Sequence, residues 1–265
     1  AIEIKPYFAE AHYNLGLILR DLGKLQESFD AYLRVIEINP TYPNIYYCIT
    51  EFLRDSDPSQ LNKSKLRNIL NLLLERNDVP HNELISAFNF LYSNEIIISL
   101  EKLDSDFSNT DLLVNKKVII NALKKITFKD IRLEHLLTNV RKYLCNKITK
   151  NKEEISYSQL QFIIALGEQC FLNEYIYSLT EEENSSLNTI IKRCKDSELN
   201  ERNISILSCY FPLYKLLHQI PSLKSFNSPN QSFKELIELQ LKEPLKEIEL
   251  SQKIKQIGSI NDEIS

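Results

Sequence analysis

The sequence lacks methionine and tryptophan, and it holds few of the residues that interrupt regular structure. Only 4 glycines and 9 prolines occur among its 265 residues. So few glycines argue against glycine-rich phosphate loops, collagen and turn-dense β-sandwiches. Leucine and isoleucine together supply 72 residues, too large an apolar share for a disordered chain. Abundant leucine, glutamate, lysine and isoleucine with so few helix breakers predicts an all-α fold.

The sequence also lacks any apolar run that approaches the roughly 18–20 residues of a membrane-spanning helix. Its most apolar segments, residues 96–98 and 162–166, are short enough to belong to a protein core. The N-terminus has no charged segment followed by an apolar one, as a secretory signal would have. We therefore predict a cytoplasmic protein that does not associate with membranes.

Excess positive charge is missing as well, since 32 lysines and arginines face 36 aspartates and glutamates. This balance argues against a nucleic-acid partner, because such binding needs a basic surface. None of the five cysteines forms a C-x-x-C pair, and no histidine lies near a cysteine at metal-ligand spacing. We expect reduced, buried thiols and no metal site. No catalytic or phosphate-binding motif occurs either.

What the chain does contain is a repeat at an offset of 34 residues. The letters AIEIKP at residues 1–6 return as VIEINP at residues 35–40. Large and small residues between these segments follow helical spacing and predict helices over residues 9–22 and 26–38. A third copy starts at residues 43–50 and loses the pattern after Asp55. We interpret this third copy as a helix that closes the stack.

Two residues mark the turns of the repeat. Gly23 can adopt the left-handed conformation between the two helices, and Pro40 cannot extend the second helix. The pattern resembles the tetratricopeptide repeat, a family in which each 34-residue unit is an antiparallel helix pair. The residues that correspond to its packing positions are Leu15, Gly16, Leu19, Ser28, Tyr32, Val35 and Pro40. His12 stands where the family usually has a large aromatic residue, and we interpret it as a packing histidine.

The resemblance implies a concave surface that binds extended peptides or partner helices. Its candidate residues in this sequence are Glu10, Tyr13, Leu17, Arg20 and Asp21. Relatives that clamp a C-terminal carboxylate carry lysine and asparagine at the positions of Tyr13 and Leu17, so that ligand is not expected here. The alternative is that this helix only stacks against a preceding repeat. Residues 1–6 would be the end of that repeat, and we interpret the chain as a segment of a longer polypeptide.

The remainder of the chain predicts further helices, opened by Asp57-Pro58, Thr127-x-x-Asp130, Ser156-x-x-Gln159, Thr180-x-x-Glu183 and Ser232-x-x-Glu235. Their expected ranges are 59–76, 82–93, 96–103, 111–126, 129–150, 157–177, 181–196, 203–217 and 232–254. A loop is expected at residues 221–230, and a bend near Pro244. The acidic residues 181–183 suit a helix N-terminus better than a metal site. Gly167 suggests a close helix crossing.

Three segments of this remainder, residues 126–133, 161–171 and 208–213, resemble the helical region of a group of bacterial proteins. That region lies between tetratricopeptide repeats and a class I methyltransferase domain. The resemblance covers about residues 110–265 and implies a parent enzyme whose catalytic domain, with S-adenosylmethionine as cofactor, lies beyond residue 265. This chain itself contains no catalytic, cofactor-binding or metal-binding residue that the resemblance could supply.

The sequence thus predicts a repeat region at residues 1–55, a helical bundle or degenerate solenoid at residues 56–220, and a loop with a last helix at residues 221–265. We expect a protein-interaction and spacer region of a larger polypeptide, with a protein or peptide partner. The parent would be a methyltransferase. The alternatives are a non-enzymatic scaffold, or the N-terminal region of a glycosyltransferase or sulfotransferase with similar repeats.

Overall fold

The structure is a computed structural model that describes residues 7–101, 116–150, 155–196 and 198–263. Every regular element in these residues is helical, which confirms the all-α prediction. The chain divides into two compact units, residues 1–99 and residues 100–265. The boundaries expected at residues 55 and 220 differ from this division, and the three-part organisation stays a prediction. Residues 1–6 and the start of the helix expected over 111–126 lie outside the described residues.

The first unit begins with a helical hairpin. Its α-helices are α1 Ala9–Asp21, α2 Leu25–Ile38, α3 Ile45–Asp55, α4 Lys63–Glu75, α5 Ile85–Phe88 and α6 Asn94–Glu101. Helices α1 and α2 lie within one residue of their predicted bounds. Gly23 between them has a φ of 71°, the left-handed conformation expected at this turn. Asn39 leaves the helical conformation directly before Pro40, as predicted.

The segment after α3 differs from the helix expected over residues 59–76. The Asp57 carboxylate accepts a hydrogen bond from the Ser59 N–H at 2.9 Å, but it begins only a short 3-10 turn, Pro58–Gln60. Leu61 is extended and buried, so the chain enters the core before the next helix, α4, begins. Asn62 caps α4 by accepting from the Lys65 N–H. The helices expected over 82–93 and 96–103 form one helical run with a π turn at Asn89–Ser93.

The second unit is organised around one buried helix. Its α-helices are α7 Lys117–Lys125, α8 Ile131–Lys150, α9 Tyr157–Leu172, α10 Glu181–Lys195, α11 Glu201–Ser208, α12 Gln231–Ile237 and α13 Glu243–Glu263. Helix α9 packs against α7, α8, α11 and α12. Its residues 162–170 are buried without interruption. The most apolar segment of the sequence is therefore a central core helix, which is apolar on all sides because neighbours surround it.

The predicted capping boxes at Ser156 and Thr180 are present and open α9 and α10. Helix α9 ends at Leu172, five residues before the expected end. Glu174 and Tyr175 adopt left-handed φ angles of 57° and 60° there. The turn brings the Tyr175 hydroxyl to 3.2 Å from the Ser208 carbonyl oxygen, to which it donates a hydrogen bond. A tertiary contact therefore ends this helix.

Prolines explain two further differences. The prediction of one helix over residues 203–217 is wrong. Helix α11 ends at Ser208, and Pro212 precedes a separate 3-10 turn, Leu213–His218. Near the C-terminus a π turn at Glu238–Lys242 lies just before Pro244. Proline has no N–H to donate to the preceding helical turn, and the wider π turn accommodates it.

Two other helices begin one or two residues away from their predicted starts at residues 129 and 232. Helix α8 begins at Ile131, where the Asp130 carboxylate accepts from the Arg132 N–H at 2.9 Å. Helix α12 begins at Gln231, where Asn230 accepts from the Phe233 N–H. The expected loop over 221–230 contains a 3-10 turn at Pro221–Ser225.

The five cysteines are buried and carry free thiols, as expected. None of the helices within the described residues combines the length and the apolar composition needed to cross a membrane.

Candidate functional site

Helices α1 and α2 cross at Gly16. A methyl group on Gly16 would lie 2.5 Å from Cε1 of Tyr32, so only hydrogen fits there. The Ser28 hydroxyl donates a hydrogen bond to the Gly16 carbonyl oxygen at 2.7 Å. These contacts show that the two helices approach closely at Gly16, which agrees with its packing position in the repeat. They also fix which side of α1 faces away from α2.

Helix α3 occupies the position of the first helix of a following repeat. The Phe52 ring stacks on Phe29 of α2 at 5.9 Å between centroids and meets the Tyr32 ring edge-on at 5.7 Å. Phe52 lies 34 residues after Ile18 of α1. Phe52 is fully buried against α2, whereas Ile18 is 58% exposed. Ile18 and Phe52 therefore occupy equivalent positions of α1 and α3. Helix α2 covers this position on α3, whereas the same position on α1 is exposed.

The five candidate residues of the sequence analysis all lie on or beside the outward side of α1. Glu10 and Asp21 are exposed, and Tyr13, Leu17 and Arg20 are half-buried. Their spacing of three and four residues places Tyr13, Leu17 and Arg20 on one face of the helix. The structure brings them together as a surface. Their binding to a partner stays a prediction.

Sequence reasoning missed the equivalent residues of α3, although the 34-residue offset was sufficient to find them. These residues are Asn44, Tyr47, Glu51, Arg54 and Asp55. Tyr47 is 47% exposed, which is unusual for a large aromatic residue between two buried neighbours. We call the surface formed by these five residues and the five candidates of α1 the α1–α3 groove.

A group of tyrosines forms one wall of the α1–α3 groove. The Tyr13 ring lies 5.4 Å from the Tyr42 ring and 6.2 Å from the Tyr32 ring, measured between centroids. Cys48 of α3 lies behind them. Burial raises the pKa of the Cys48 thiol, and the neighbouring Tyr32 and Tyr13 hydroxyls only partly offset this effect. The thiol therefore stays protonated and packs as a small apolar group.

Charged side chains pair at the C-terminal end of α3. Arg54 donates two hydrogen bonds to the Asp55 carboxylate, at 2.8 and 3.1 Å. Glu83 lies 3.7 Å from the same guanidinium. The hydrogen bonds from Arg54 lower the pKa of Asp55, and Arg20 of α1 lowers it further. The charge of Arg20 therefore acts on the end of α3.

Within the described residues, no group of three or more histidine, cysteine, aspartate or glutamate side chains could hold a metal ion. The acidic residues 181–183 serve the start of α10, as expected: Glu183 completes the capping box with Thr180.

Glu183 also belongs to a buried cluster that sequence reasoning missed. Its Oε1 accepts a hydrogen bond from the Tyr210 hydroxyl at 2.8 Å and lies 3.4 Å from Arg141 Nη2. Burial raises the pKa of Glu183, but its hydrogen bonds and Arg141 outweigh burial, so the pKa is lowered overall. The three residues are far apart in sequence, and no local pattern could have identified their contact. The cluster joins α8, α10 and the segment after α11 inside the second unit, although Arg141 Nε has no hydrogen-bond partner.

Gly167 marks the crossing of α9 with α11, which confirms the close approach expected there. A methyl group on Gly167 would collide with the Ser208 side chain. The Gln240 side-chain amide donates a hydrogen bond to the Gly167 carbonyl oxygen at 2.7 Å, so this carbonyl group already has a partner within the chain. This glycine is structural.

Comparison with known families identifies the hairpin. Residues 9–42 match the model of the tetratricopeptide repeat. The match spans α1, α2 and the start of the turn that leads to α3. No curated protein and no solved structure matches the chain. The chain therefore carries a tetratricopeptide repeat at residues 9–42, and the first helix of this repeat supplies half of the α1–α3 groove.

Proposed function

We propose that this chain is a protein-interaction region that binds a segment of a partner protein in the α1–α3 groove. The observation that carries the proposal is a matched tetratricopeptide repeat whose outward face continues onto an equivalent helix, α3. Repeats of this kind generally mediate protein–protein interactions. The surface also offers an exposed aromatic ring, Tyr47 of α3, and a half-buried apolar side chain, Leu17 of α1.

The side chains of the groove suit a protein ligand. Tyrosine is enriched at interfaces because its ring buries apolar area and its hydroxyl forms hydrogen bonds. Tyr13 and Tyr47 offer such rings from two helices whose backbones are held by the Gly16 crossing and by the Phe29–Phe52 stack. A rigid surface loses little conformational entropy when a ligand binds, which favours affinity.

The test is a selection of displayed peptides, about 15 residues long, on the immobilised full chain. The groove variant is Leu17→Ala with Tyr47→Ala. The control is Leu250→Ala with Tyr157→Ala, which removes the same two residue types at positions that are 49% and 70% exposed in the second unit. Selected peptides should lose about tenfold or more in affinity for the groove variant, as expected for central contacts.

The control variant should bind these peptides within about twofold of the unmodified chain. Circular dichroism of both variants establishes that the helices are retained. Peptides that bind the groove variant as tightly as the unmodified chain would refute the proposal. That result would favour the alternative in which α1 only stacks against a preceding repeat.

We further propose that the interaction region serves a larger polypeptide with a methyltransferase domain. The support is the resemblance of the segments at residues 126–133, 161–171 and 208–213 to the region that precedes such domains. The coding sequence beyond Ser265 tests this part of the proposal. A strand, a glycine-rich turn and a helix, with an acidic residue after the next strand, are the expected features. A stop codon would favour the scaffold, and a different catalytic fold the glycosyltransferase or sulfotransferase alternative.

The chain itself is proposed to bind no S-adenosylmethionine. Such cofactors need backbone N–H groups at a glycine-rich turn between a strand and a helix, together with a carboxylate for the ribose hydroxyls. Only 4 glycines are present, and Gly16, Gly23 and Gly167 serve helix crossings and a turn. Calorimetric titration with the cofactor should show no saturable heat. One-to-one binding at micromolar affinity would contradict this expectation.

A further inference from the structure

We infer that the ligand of the α1–α3 groove is a cationic protein segment, in which lysine or arginine side chains alternate with small or apolar residues. The inference rests on the proposed function and adds the chemical class of the ligand. It is carried by the charges of the groove, by the pairing of its two arginines and by the position of one carboxylate beside the tyrosine wall.

The groove carries more carboxylates than cationic groups. Four carboxylates belong to the ten residues of the groove, against two guanidinium groups. The carboxylates are Glu10, Asp21, Glu51 and Asp55, and the guanidiniums are Arg20 and Arg54. Lys24 lies outside this surface, in the turn that leads to α2. The groove therefore has an excess of negative charge, which attracts cations and repels acidic segments.

Both guanidinium groups are already paired within the first unit. Arg54 is hydrogen-bonded to Asp55 and lies 4.0 Å from a Glu51 carboxylate oxygen. Arg20 lies 4.0 Å from an Asp21 carboxylate oxygen. A carboxylate that approached either arginine would also meet the like charge of the neighbouring aspartate, which repels it. A carboxylate ligand is therefore disfavoured for a second reason, beyond the Tyr13 and Leu17 positions.

Glu10 is the carboxylate best placed to receive a cation. It is exposed and forms no ion pair within the described residues. Glu10 lies one turn before Tyr13 on α1, which places the two side chains on one face of the helix. Burial and then the Glu10 carboxylate raise the pKa of Tyr42, in line with this placement. The Tyr42 ring in turn contacts Tyr13 at 5.4 Å. A ring next to a carboxylate suits lysine or arginine, because the ring packs on the aliphatic stem and the carboxylate pairs with the charged head.

Three blocked peptides provide the probes: four Lys-Ala-Pro repeats, the same peptide with glutamate for lysine, and the same peptide with glutamine for lysine. Each carries a fluorescein label, and binding to the full chain is measured by fluorescence anisotropy. The lysine peptide should bind saturably and about tenfold or more tighter than the glutamate peptide at about 50 mM salt. Its affinity should fall several-fold at about 300 mM salt, where exposed charges are screened.

Two variants with equal charge change localise the effect. Glu10→Gln with Glu51→Gln removes two groove carboxylates, and Glu27→Gln with Glu247→Gln removes two exposed carboxylates elsewhere. The groove variant should weaken binding of the lysine peptide about fivefold or more, and the control less than about twofold. Equal loss in both variants would show that general charge attraction, and not the groove, accounts for binding, and would overturn the inference.

The outcomes also separate this inference from the proposed function. If selected peptides depend on Leu17 and Tyr47 but are neutral or acidic, the cationic class is wrong and the groove remains a binding surface. If the glutamate or glutamine peptide binds as tightly as the lysine peptide, the inference is likewise overturned. If selected peptides are independent of Leu17 and Tyr47, the proposed function itself fails.

Discussion

At the scale of single residues, Gly16 and Gly167 allow two pairs of helices to approach more closely than a residue with a Cβ atom would permit. Gly167 was found in the sequence because glycine is costly inside a helix, and Gly16 because it corresponds to a packing position of the tetratricopeptide repeat. The structure supplies the reason in each case, a Tyr32 ring at Gly16 and a Ser208 side chain at Gly167.

Gly16→Ala should destabilise the chain by about 1–3 kcal/mol, because the new methyl group would overlap the buried Tyr32 ring. Alanine is otherwise a better helix former than glycine, so a loss of stability on this substitution would indicate that α1 and α2 are in close contact at Gly16. Asn14→Ala, at an exposed position of α1, is the matched control and should be neutral or slightly stabilising. Urea unfolding followed by circular dichroism measures both. A Gly16→Ala chain as stable as the control would contradict the crossing.

Glu168 of α9 is a buried acid with an unusual environment. Its Oε1 lies 3.3 Å from Lys124 Nζ, without the geometry of a hydrogen bond. Burial raises the pKa of Glu168 to about 7, and Lys124 only partly opposes this effect. In the unfolded chain this carboxyl titrates near its usual value of 4.5. Between these two pH values the folded state holds a proton that the unfolded state has lost, so stability falls as the pH rises.

Glu168→Gln should therefore remove a pH dependence on the order of 2 kcal/mol between about pH 4.5 and about pH 8. The measurement is the free energy of unfolding of both chains at the two pH values. The variant should gain stability relative to the unmodified chain as the pH rises. A difference between the two chains that is independent of pH would contradict the prediction.

Glu235 offers a control of opposite sign for this measurement. It lies 3.0 Å from the same Lys124. Burial raises the pKa of Glu235, but Lys124, Gln231 and Lys125 together outweigh burial and lower the pKa overall. Its contribution to stability is present above the unfolded pKa of 4.5 and is lost as the pH falls below it. Relative to the unmodified chain, Glu235→Gln should therefore lose stability as the pH rises towards 4.5, and the difference should change little between about pH 5 and about pH 8.

At the scale of helices, side chains at the N-terminus decide where several elements begin. The capping boxes Ser156-x-x-Gln159 and Thr180-x-x-Glu183 were recognisable because both partners lie three residues apart. Asp57-Pro58 was misleading, since the same local signal also opens a 3-10 turn. The ends of helices depended on prolines and on tertiary contacts, such as the one made by Tyr175.

Thr180→Ala should lower the stability of the second unit by about 1 kcal/mol, because the Glu183 N–H would lose the acceptor Thr180 Oγ1. Thr189→Ala on the exposed side of the same helix is the matched control. It should be neutral or slightly stabilising, because alanine is the better helix former. Chemical denaturation compares the two variants. Equal stability of both would show that the cap contributes nothing measurable.

At the scale of the whole molecule, the chain consists of two compact units, each with its own buried core. The first surrounds Phe29, Tyr32 and Phe52, and the second surrounds α9. A stack of repeats is stable only when neighbours cover each apolar face. In the first unit α2 and the later helices provide this cover for α3, but the described residues leave Ile18 and Leu22 of α1 exposed.

We predict that residues 1–99 and residues 100–265 each fold when produced separately. Each unit has a core of buried aliphatic and aromatic side chains, which is the requirement for independent folding. Both fragments should show helical circular dichroism and cooperative unfolding. A fragment that is unfolded, or that melts without cooperativity, would show that its core depends on the other residues.

About half of the candidate site was accessible from the sequence. Glu10, Tyr13, Leu17, Arg20 and Asp21 followed from the resemblance to a known repeat. Their counterparts on α3 could have been found by the same 34-residue offset, but the repeat decays after Asp55 and the third copy was interpreted only as a closing helix. The pairing of Arg54 with Asp55 and Glu83 could not be predicted, because rotamers and distances depend on the packed structure.

The sequence by itself determined the helical class, the hairpin at residues 9–42 and the position of its turn at Gly23. These features are local: helical periodicity, glycine, proline and capping residues act within a few residues of chain. Only the tertiary structure decided that α9 is central, that Arg141 meets Glu183 and Tyr210, and that the charge of Arg20 acts on the end of α3. Those outcomes depend on contacts between residues far apart in sequence, whose energies arise when packed helices exclude water and bring charges together.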